Sequence, residues 1–234
     1  MFQFKQFSVD QSGCAMKINT DGVLLGALAE ANSPASILDI GTGTGVIALM
    51  LAQRFNDAKI DALEIDETAA QTAHQNFIKS PFTSRLEVHP IGFEQFFDHF
   101  PDRKYDMIVS NPPFHINSLE SPGVKKSLAK HTDELFFEGL IRAVAGHLTA
   151  NGSCWLILPL QTAQLVKATV VQYGLDLQKT ISVHSYFDSL PHREILVLNL
   201  NKTKETDEQF IIYAQPKMYS EDYKNQLKEF FTIF

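Results

Sequence analysis

The sequence predicts an α/β fold: a doubly wound, mostly parallel sheet of seven strands, with a small ribbon-and-helix extension at the N-terminal end. Two observations lead there. From residue 36 to about 200, short apolar runs alternate with longer amphipathic stretches, the pattern of strand–helix–strand units. Turn-forming residues separate them, at Pro34, Asn56-Asp57, Pro81, Asn151-Gly152 and Gly174. With 234 residues, 44% hydrophobic and 20% charged, the chain can build a real core within one domain.

The elements follow in order. Phe2, Phe4, Phe7 and Val9 alternate before Gly13 and "AMKIN", a pattern for a small hairpin. In "TDGVLLGALAEA", Thr20 or Asp21 can cap a short apolar helix. Residues 1–35 are thus expected to form an extension packed on a core domain of residues 36–234. Strands are expected at "SILDI", "KIDALEI", "LEVHPI", "YDMIVS", "SCWLILP", "LQKTISVHS" and "EILVLNL". Helices are expected over 44–55, 67–80, 133–149 and 161–173. "NKTKETDEQ" (201–209) reads as a polar surface loop and "MYSEDYKNQLKEFFTIF" as a helical tail.

Composition narrows the function classes. The net charge of −7 argues against a molecule that binds nucleic acid over its whole surface, and leaves room for a local basic patch. Cys14 and Cys154 are far apart and lack metal-ligand spacing, so no disulfide framework and no metal site are expected. The start, "MFQFKQFSVD", lacks the layout of a signal peptide. No apolar run reaches the roughly 18 residues a membrane span needs. A cytoplasmic enzyme is expected, with no membrane partner.

Open sheets of this kind bind ligands beyond the carboxyl ends of their strands. The first core strand ends in "LDIGTGTGVIALMLA", with Gly41, Gly43 and Gly45 between strand and helix. Glycines there let a ligand approach the backbone. Val46 stands where a dinucleotide fingerprint wants a small residue, and Asp39 would repel a pyrophosphate but suit a cation. The second strand ends in "ALEIDE". Glu64, 19 residues after Gly45, can accept both ribose hydroxyls of a nucleoside. Asp66 competes for that role, although its position is that of a helix N-cap. A nucleoside ligand with a positive charge and no phosphate fits, and S-adenosylmethionine is such a ligand.

The fourth strand, "YDMIVS", runs into "NPPF". Neither proline can donate to a strand ladder, so the strand must stop there. Asn111 precedes a proline and is driven to an extended conformation. An exocyclic amine on a purine is a poor nucleophile, because its lone pair is delocalised into the ring. The Asn111 side-chain oxygen and the Pro112 carbonyl can accept its two hydrogens and localise that lone pair. Pro112 and Pro113 hold the acceptors in place, which is electrostatic preorganisation. Phe114 can stack on the base.

"ILDIGTGTG", "ALEID" and "SNPPF", in this order, resemble the class I S-adenosylmethionine-dependent methyltransferases, whose Rossmann-like sheet has seven strands. The Asn-Pro-Pro-aromatic turn is similar to the branch that methylates planar nitrogens. "FKQFSVDQSGCAMKINTDGVLLGALA" and "LPHREILVLNL" resemble the bacterial tRNA1(Val) adenine-37 N6-methyltransferases over essentially the whole chain. That resemblance implies a tRNA partner, the anticodon loop of a valine tRNA, and Lys17, Thr20 and Asp21 over the methionine end of the cofactor. Many relatives carry an acid after the third strand, where this chain has Gly92. The backbone around Gly92 and the Phe93 ring are then the candidates for the cofactor's adenine.

His115, Lys125, Lys126, Lys130 and His131, in a long polar stretch after "NPPF", are candidates to contact RNA phosphate. Lys5, Lys17, His192 and Arg193 can add to the same rim. His184 and His192 read as structural. A monomer or weak homodimer is expected. Two other functions fit the same residues: methylation of a release-factor glutamine, and a noncatalytic RNA-binding protein on this fold.

Overall fold

The computed structural model describes residues 1–14, 16–113, 126–202 and 204–234, with the side chains of 126–133 left aside. Five neighbouring strands run parallel: β3 (Ser36–Ile40), β4 (Lys59–Leu63), β5 (Leu86–His89), β6 (Tyr105–Ser110) and β7 (Leu148–Leu158). Two antiparallel strands, β8 (Asp176–His184) and β9 (Pro191–Asn199), follow, and β10 (Thr206–Ile211) pairs parallel with β8. The order across the sheet is β10-β8-β9-β7-β6-β3-β4-β5. From β3 the chain winds outward through β4 and β5, then returns to place β6 on the other flank of β3. The reversal opens a crevice beyond the tips of β3 and β6.

Helices cover both faces. α1 (Thr20–Leu28), α2 (Val46–Arg54) and the C-terminal α7 (Glu221–Leu227) pack with the hairpin of β1 (Phe2–Gln3) and β2 (Ser8–Val9) over one core, which includes Phe4, Leu24, Ile47 and Met50. α4 (Phe93–His99), α5 (Lys126–His147) and α6 (Leu160–Thr169) enclose the other, around Phe96, Ile141 and Leu156. α3 (Glu67–Lys79) flanks β5, and a small ribbon of β11 (Tyr213–Gln215) and β12 (Met218–Tyr219) precedes α7. Arginines close two helix ends. Arg54 donates to the carbonyls of Gly26 and Ala29, and Arg85 to those of Ala52, Phe55 and Ala58, satisfying acceptors a helix leaves open. No helix among the described residues is long and apolar enough to cross a membrane.

All seven expected strands form, and five details differ. The expected helical tail is cut short: Met218–Tyr219 pair in β12, and only Glu221–Leu227 are helical. Residues 206–209, expected in a surface loop, begin the edge strand β10. Its first four side chains are exposed and Phe210 is the buried one, so its polar composition reflects an edge held by backbone bonds. The short α4 buries Phe93, Phe96 and Phe97 at helical spacing. α5 begins at Lys126 rather than 133. The cap of α1 is Asn19, whose Oδ1 accepts from the Gly22 amide at 2.9 Å, in place of Thr20 or Asp21.

Gly45 caps α2 with φ +83°. A Cβ there would lie 2.5 Å from Phe77 Cε1. Gly45→Ala is expected to lose about 2 to 5 kcal/mol, from left-handed strain plus the clash. Gly174→Ala, with φ +74° and open space around the built Cβ, should lose only about 1 to 2 kcal/mol. Urea denaturation compares them, and equal losses would mean that Phe77 simply moves aside.

Candidate active site

The crevice is built from strand tips. After β3 the chain turns through Gly41-Thr42-Gly43-Thr44-Gly45 into α2. Gly41 and Gly43 also have positive φ, +75° and +57°. The amides of Gly41 and Thr42 both bond the Leu63 carbonyl at 2.9 Å. The Gly43 amide bonds Glu64 Oε2 at 2.8 Å, and the Asp66 amide bonds Glu64 Oε1 at 2.9 Å. The Glu64 carboxylate is therefore fixed between the glycine turn and the tip of β4, half-buried, with acceptor capacity left on both oxygens. Asp66 is taken as the N-cap of α3, its Oδ1 accepting from the Ala69 amide at 2.8 Å. A Cβ at Gly41 or Gly43 would meet nothing within 4 Å, so the turn faces open space.

Asp39, the penultimate residue of β3, is fully buried. Its Oδ2 accepts from the Thr42 hydroxyl at 2.6 Å, and its Oδ1 has no hydrogen-bond partner. Burial pushes its carboxyl up to about 7, against the opposing influence of the Thr42 hydroxyl and the Ala48 amide. The turn thus keeps an unpartnered acceptor beneath it.

Register sets the next residue. Ile40 pairs with Ser110 across β3 and β6, and the Ser110 hydroxyl bonds the Ile40 carbonyl at 2.7 Å. Asn111 therefore emerges beside Gly41. It is buried, and its Oδ1 has no partner. Pro112 is buried and Pro113 exposed. The first turn of α1 closes the other side: a Cβ built at Gly22 would lie 3.7 Å from Asn111 Nδ2. Asp21 is buried there and accepts from Arg193 Nε of β9 at 2.8 Å. Lys17 and Thr20 are exposed on the segment entering α1.

Beyond β4 and β5, one residue expected beside the cofactor's adenine lies in the core. The Phe93 ring is 4% exposed and packs edge-on against Phe136, with centroids 5.7 Å apart. It belongs to the core and offers no free face, because α4 begins at this residue and turns it inward. Two residues not singled out in the sequence flank Gly92 instead. A Cβ at Gly92 would lie 3.5 Å from Glu94 Oε2 and 3.8 Å from Ile65 Cδ1. Ile65 is 81% exposed. The signals available were an apolar residue between two acids in "LEIDE" and an acid two positions past Gly92.

The basic rim also changes. The Lys5 ammonium bonds the carbonyls of Lys228 and Phe234, tying the N-terminal ribbon to the tail. His184 is buried with Nδ1 at 2.6 Å from the Ser189 carbonyl, and burial lowers the His192 pKa. Phe114, His115 and Lys125 lie outside the described residues, as do the side chains of Lys126, Lys130 and His131. Asp61, Glu87 and His89 are a cluster of metal-ligand types, but Asp61 is already bonded by Arg103, Tyr105 and His89.

The methyltransferase small domain family matches residues 16–171. The tRNA1(Val) (adenine(37)-N6)-methyltransferase of Pedobacter heparinus is 48% identical over 233 residues, covering 100% of this chain and 98% of the relative. The protein of the same name from Bacteroides thetaiotaomicron is 42% identical, covering 98% and 96%. The chain belongs to the tRNA1(Val) (adenine(37)-N6)-methyltransferase family. Solved structures share the fold of this methyltransferase. A protein from Agrobacterium tumefaciens described as a predicted O-methyltransferase superposes with a TM-score of 0.67 at 17% identity, covering 90% of this chain and 96% of that one. TrmN from Thermus thermophilus gives 0.57 at 22% identity, covering 76% and 47%.

Asp39 makes a pH signature for this methyltransferase. Its folded pKa is raised above the unfolded value, so the folded state holds the proton more tightly. Stability linked to it is present in full below about pH 4 and falls as pH rises to about 7. Asp39→Asn cannot titrate. Its stability relative to the native chain should rise between pH 4 and 7, by on the order of a few kcal/mol, and level off above. Denaturation at several pH values checks this; a constant difference would contradict the buried acid.

Proposed function

We propose that the chain transfers the methyl group of S-adenosylmethionine to the exocyclic N6 of an adenine in tRNA, adenosine 37 of a valine tRNA, in the cytoplasm. One observation carries the reading. Asn111, buried at the switch point, presents a side-chain oxygen with no internal partner, directly before two prolines and beside the glycine turn. A buried acceptor left open in this way calls for a donor from outside.

The residues present fit the cofactor. Gly41 and Gly43 leave space for a ligand against the backbone. Glu64 retains acceptor capacity for two ribose hydroxyls. Ile65 offers an apolar surface to the adenine, and Glu94 an acceptor for its amine in place of the acid that Gly92 lacks. Asp39 and Glu64 together disfavour a phosphate and favour a cation. Lys17, Thr20 and Asp21 serve the methionine end, where Arg193 holds Asp21. When bound, S-adenosylmethionine supplies a methyl group on a positively charged sulfur.

The chain's own part is to hold and polarise the amine. Asn111 Oδ1 accepts one N6 hydrogen and the Pro112 carbonyl the other, drawing the lone pair out of conjugation. The fixed φ of both prolines keeps the acceptors from relaxing toward water. Phe114 follows in sequence as the base-stacking residue. The target base must leave the stack of its loop to enter.

Nucleoside mass spectrometry of an unmodified valine tRNA transcript treated with the protein should show N6-methyladenosine, absent when adenosine 37 is replaced by guanosine. Asn111→Ala should slow single-turnover methyl transfer about 100- to 1000-fold with cofactor affinity intact. Asn111→Asp should retain more activity, because it keeps an acceptor. Near-native transfer by Asn111→Ala would make the Asn-Pro-Pro turn a structural device only.

A further inference from the structure

β8 and β9 are joined by a turn that holds two large apolar side chains in solvent. Phe187 is 85% exposed and Leu190 88%. Scattered apolar residues on a surface are ordinary, but this turn is firmly braced. The Tyr186 amide bonds Ser189 Oγ at 2.9 Å, the Ser189 amide bonds the Tyr186 carbonyl at 3.1 Å, and the Ser189 hydroxyl bonds that carbonyl at 2.8 Å. His184 Nδ1 then donates to the Ser189 carbonyl at 2.6 Å. Tyr186 packs against Tyr213, ring centroids 5.7 Å apart. The backbone that carries Phe187 is thus set before anything binds.

Its place in the sheet is as informative. Ser110 pairs with Leu156 of β7, and Leu158 of β7 pairs with Glu194 at the start of β9. The turn before β9 therefore lies at the same edge as Asn111. By strand spacing it stands about 10 to 14 Å along the sheet from β6, past the reach of a base seated at Asn111. The Arg193–Asp21 pair, 2.8 Å apart, locks the start of β9 to the first turn of α1, the turn whose Gly22 faces Asn111.

We infer that Phe187, on this braced turn, is a stacking platform for an unpaired nucleobase flanking the methylated adenine. The inference rests on the tRNA reading above and extends its site. Stacking on an aromatic ring accepts any base, since each has a π-face. With the backbone fixed in advance, binding orders only the side-chain rotamer of Phe187. With a net charge of −7, the protein has no general pull on phosphates, which shifts the burden of affinity toward such contacts.

The native chain holds one tryptophan, Trp155, which is 3% exposed, so Phe187→Trp places a reporter on the turn. Its emission should be quenched on titration with valine tRNA transcript. Phe187→Ala should raise the KM for that transcript roughly 5- to 100-fold, leaving kcat and S-adenosylmethionine affinity unchanged. Phe187→Tyr should restore KM, and Phe187→Leu should not, which separates stacking from bulk. Methylation that proceeds normally with Phe187→Ala or Phe187→Leu, or an emission indifferent to saturating tRNA, overturns the inference alone. Self-association of the native chain that Phe187→Ala abolishes, with KM unmoved, assigns the turn to a contact between copies and overturns it too. A native protein that neither binds nor methylates tRNA overturns the functional reading together with it.

Discussion

A hydrogen bond from the Gly43 amide to the Glu64 carboxylate completes the set begun by the Gly41 and Thr42 amides on the Leu63 carbonyl. It ties the turn after β3 to the tip of β4. The other Glu64 oxygen takes the Asp66 amide, so the carboxylate cannot swing away and α3 starts from a fixed point. The turn it holds needs positive φ at Gly41, Gly43 and Gly45, a path that side chains with a Cβ resist. Parallel register then does the rest. Once β3 ends at Ile40, its pairing with Ser110 of β6 delivers Asn111 to the neighbouring tip.

The charge arrangement fits the proposed ligand. Asp39, Glu64 and Glu94 lie along it, and the nearby Asp21 is matched by Arg193. A diphosphate would meet repulsion where a positively charged nucleoside meets attraction. The arrangement works against stability at Asp39, where an acid is buried with one oxygen unpartnered. Buried polar groups are normally satisfied, and two of the unpartnered buried atoms among the described residues, at Asp39 and Asn111, sit on either side of one turn.

Much of the fold was legible because buried parallel strands read as short apolar runs between turn-formers. "SILDI" and "YDMIVS" match β3 and β6 residue for residue. β10 was hidden because an edge strand is specified by backbone pairing and can carry loop-like side chains. α4 was hidden because seven residues give barely two turns of periodicity. In the site, Gly41, Gly43, Gly45, Glu64 and Asn111 stood out because each follows directly from the end of a strand, where chain order and position in space coincide. Phe93 and Glu94 lie past a bend, Ile65 sits next to Glu64, and the direction of each side chain is set by packing. Phe93 turns inward onto Phe136 while Ile65 stays out, and neither outcome is encoded in local spacing. Nor does composition show that the turn carrying Phe187 is braced.

The most direct measurement is a crystal structure of the protein with S-adenosylhomocysteine. Both ribose hydroxyls should lie within hydrogen-bond distance of Glu64, with its bond to the Gly43 amide retained and the ligand's sulfur near Asn111. A ribose held by Asp66, or a ligand seated away from the tips of β3 and β4, would contradict the account.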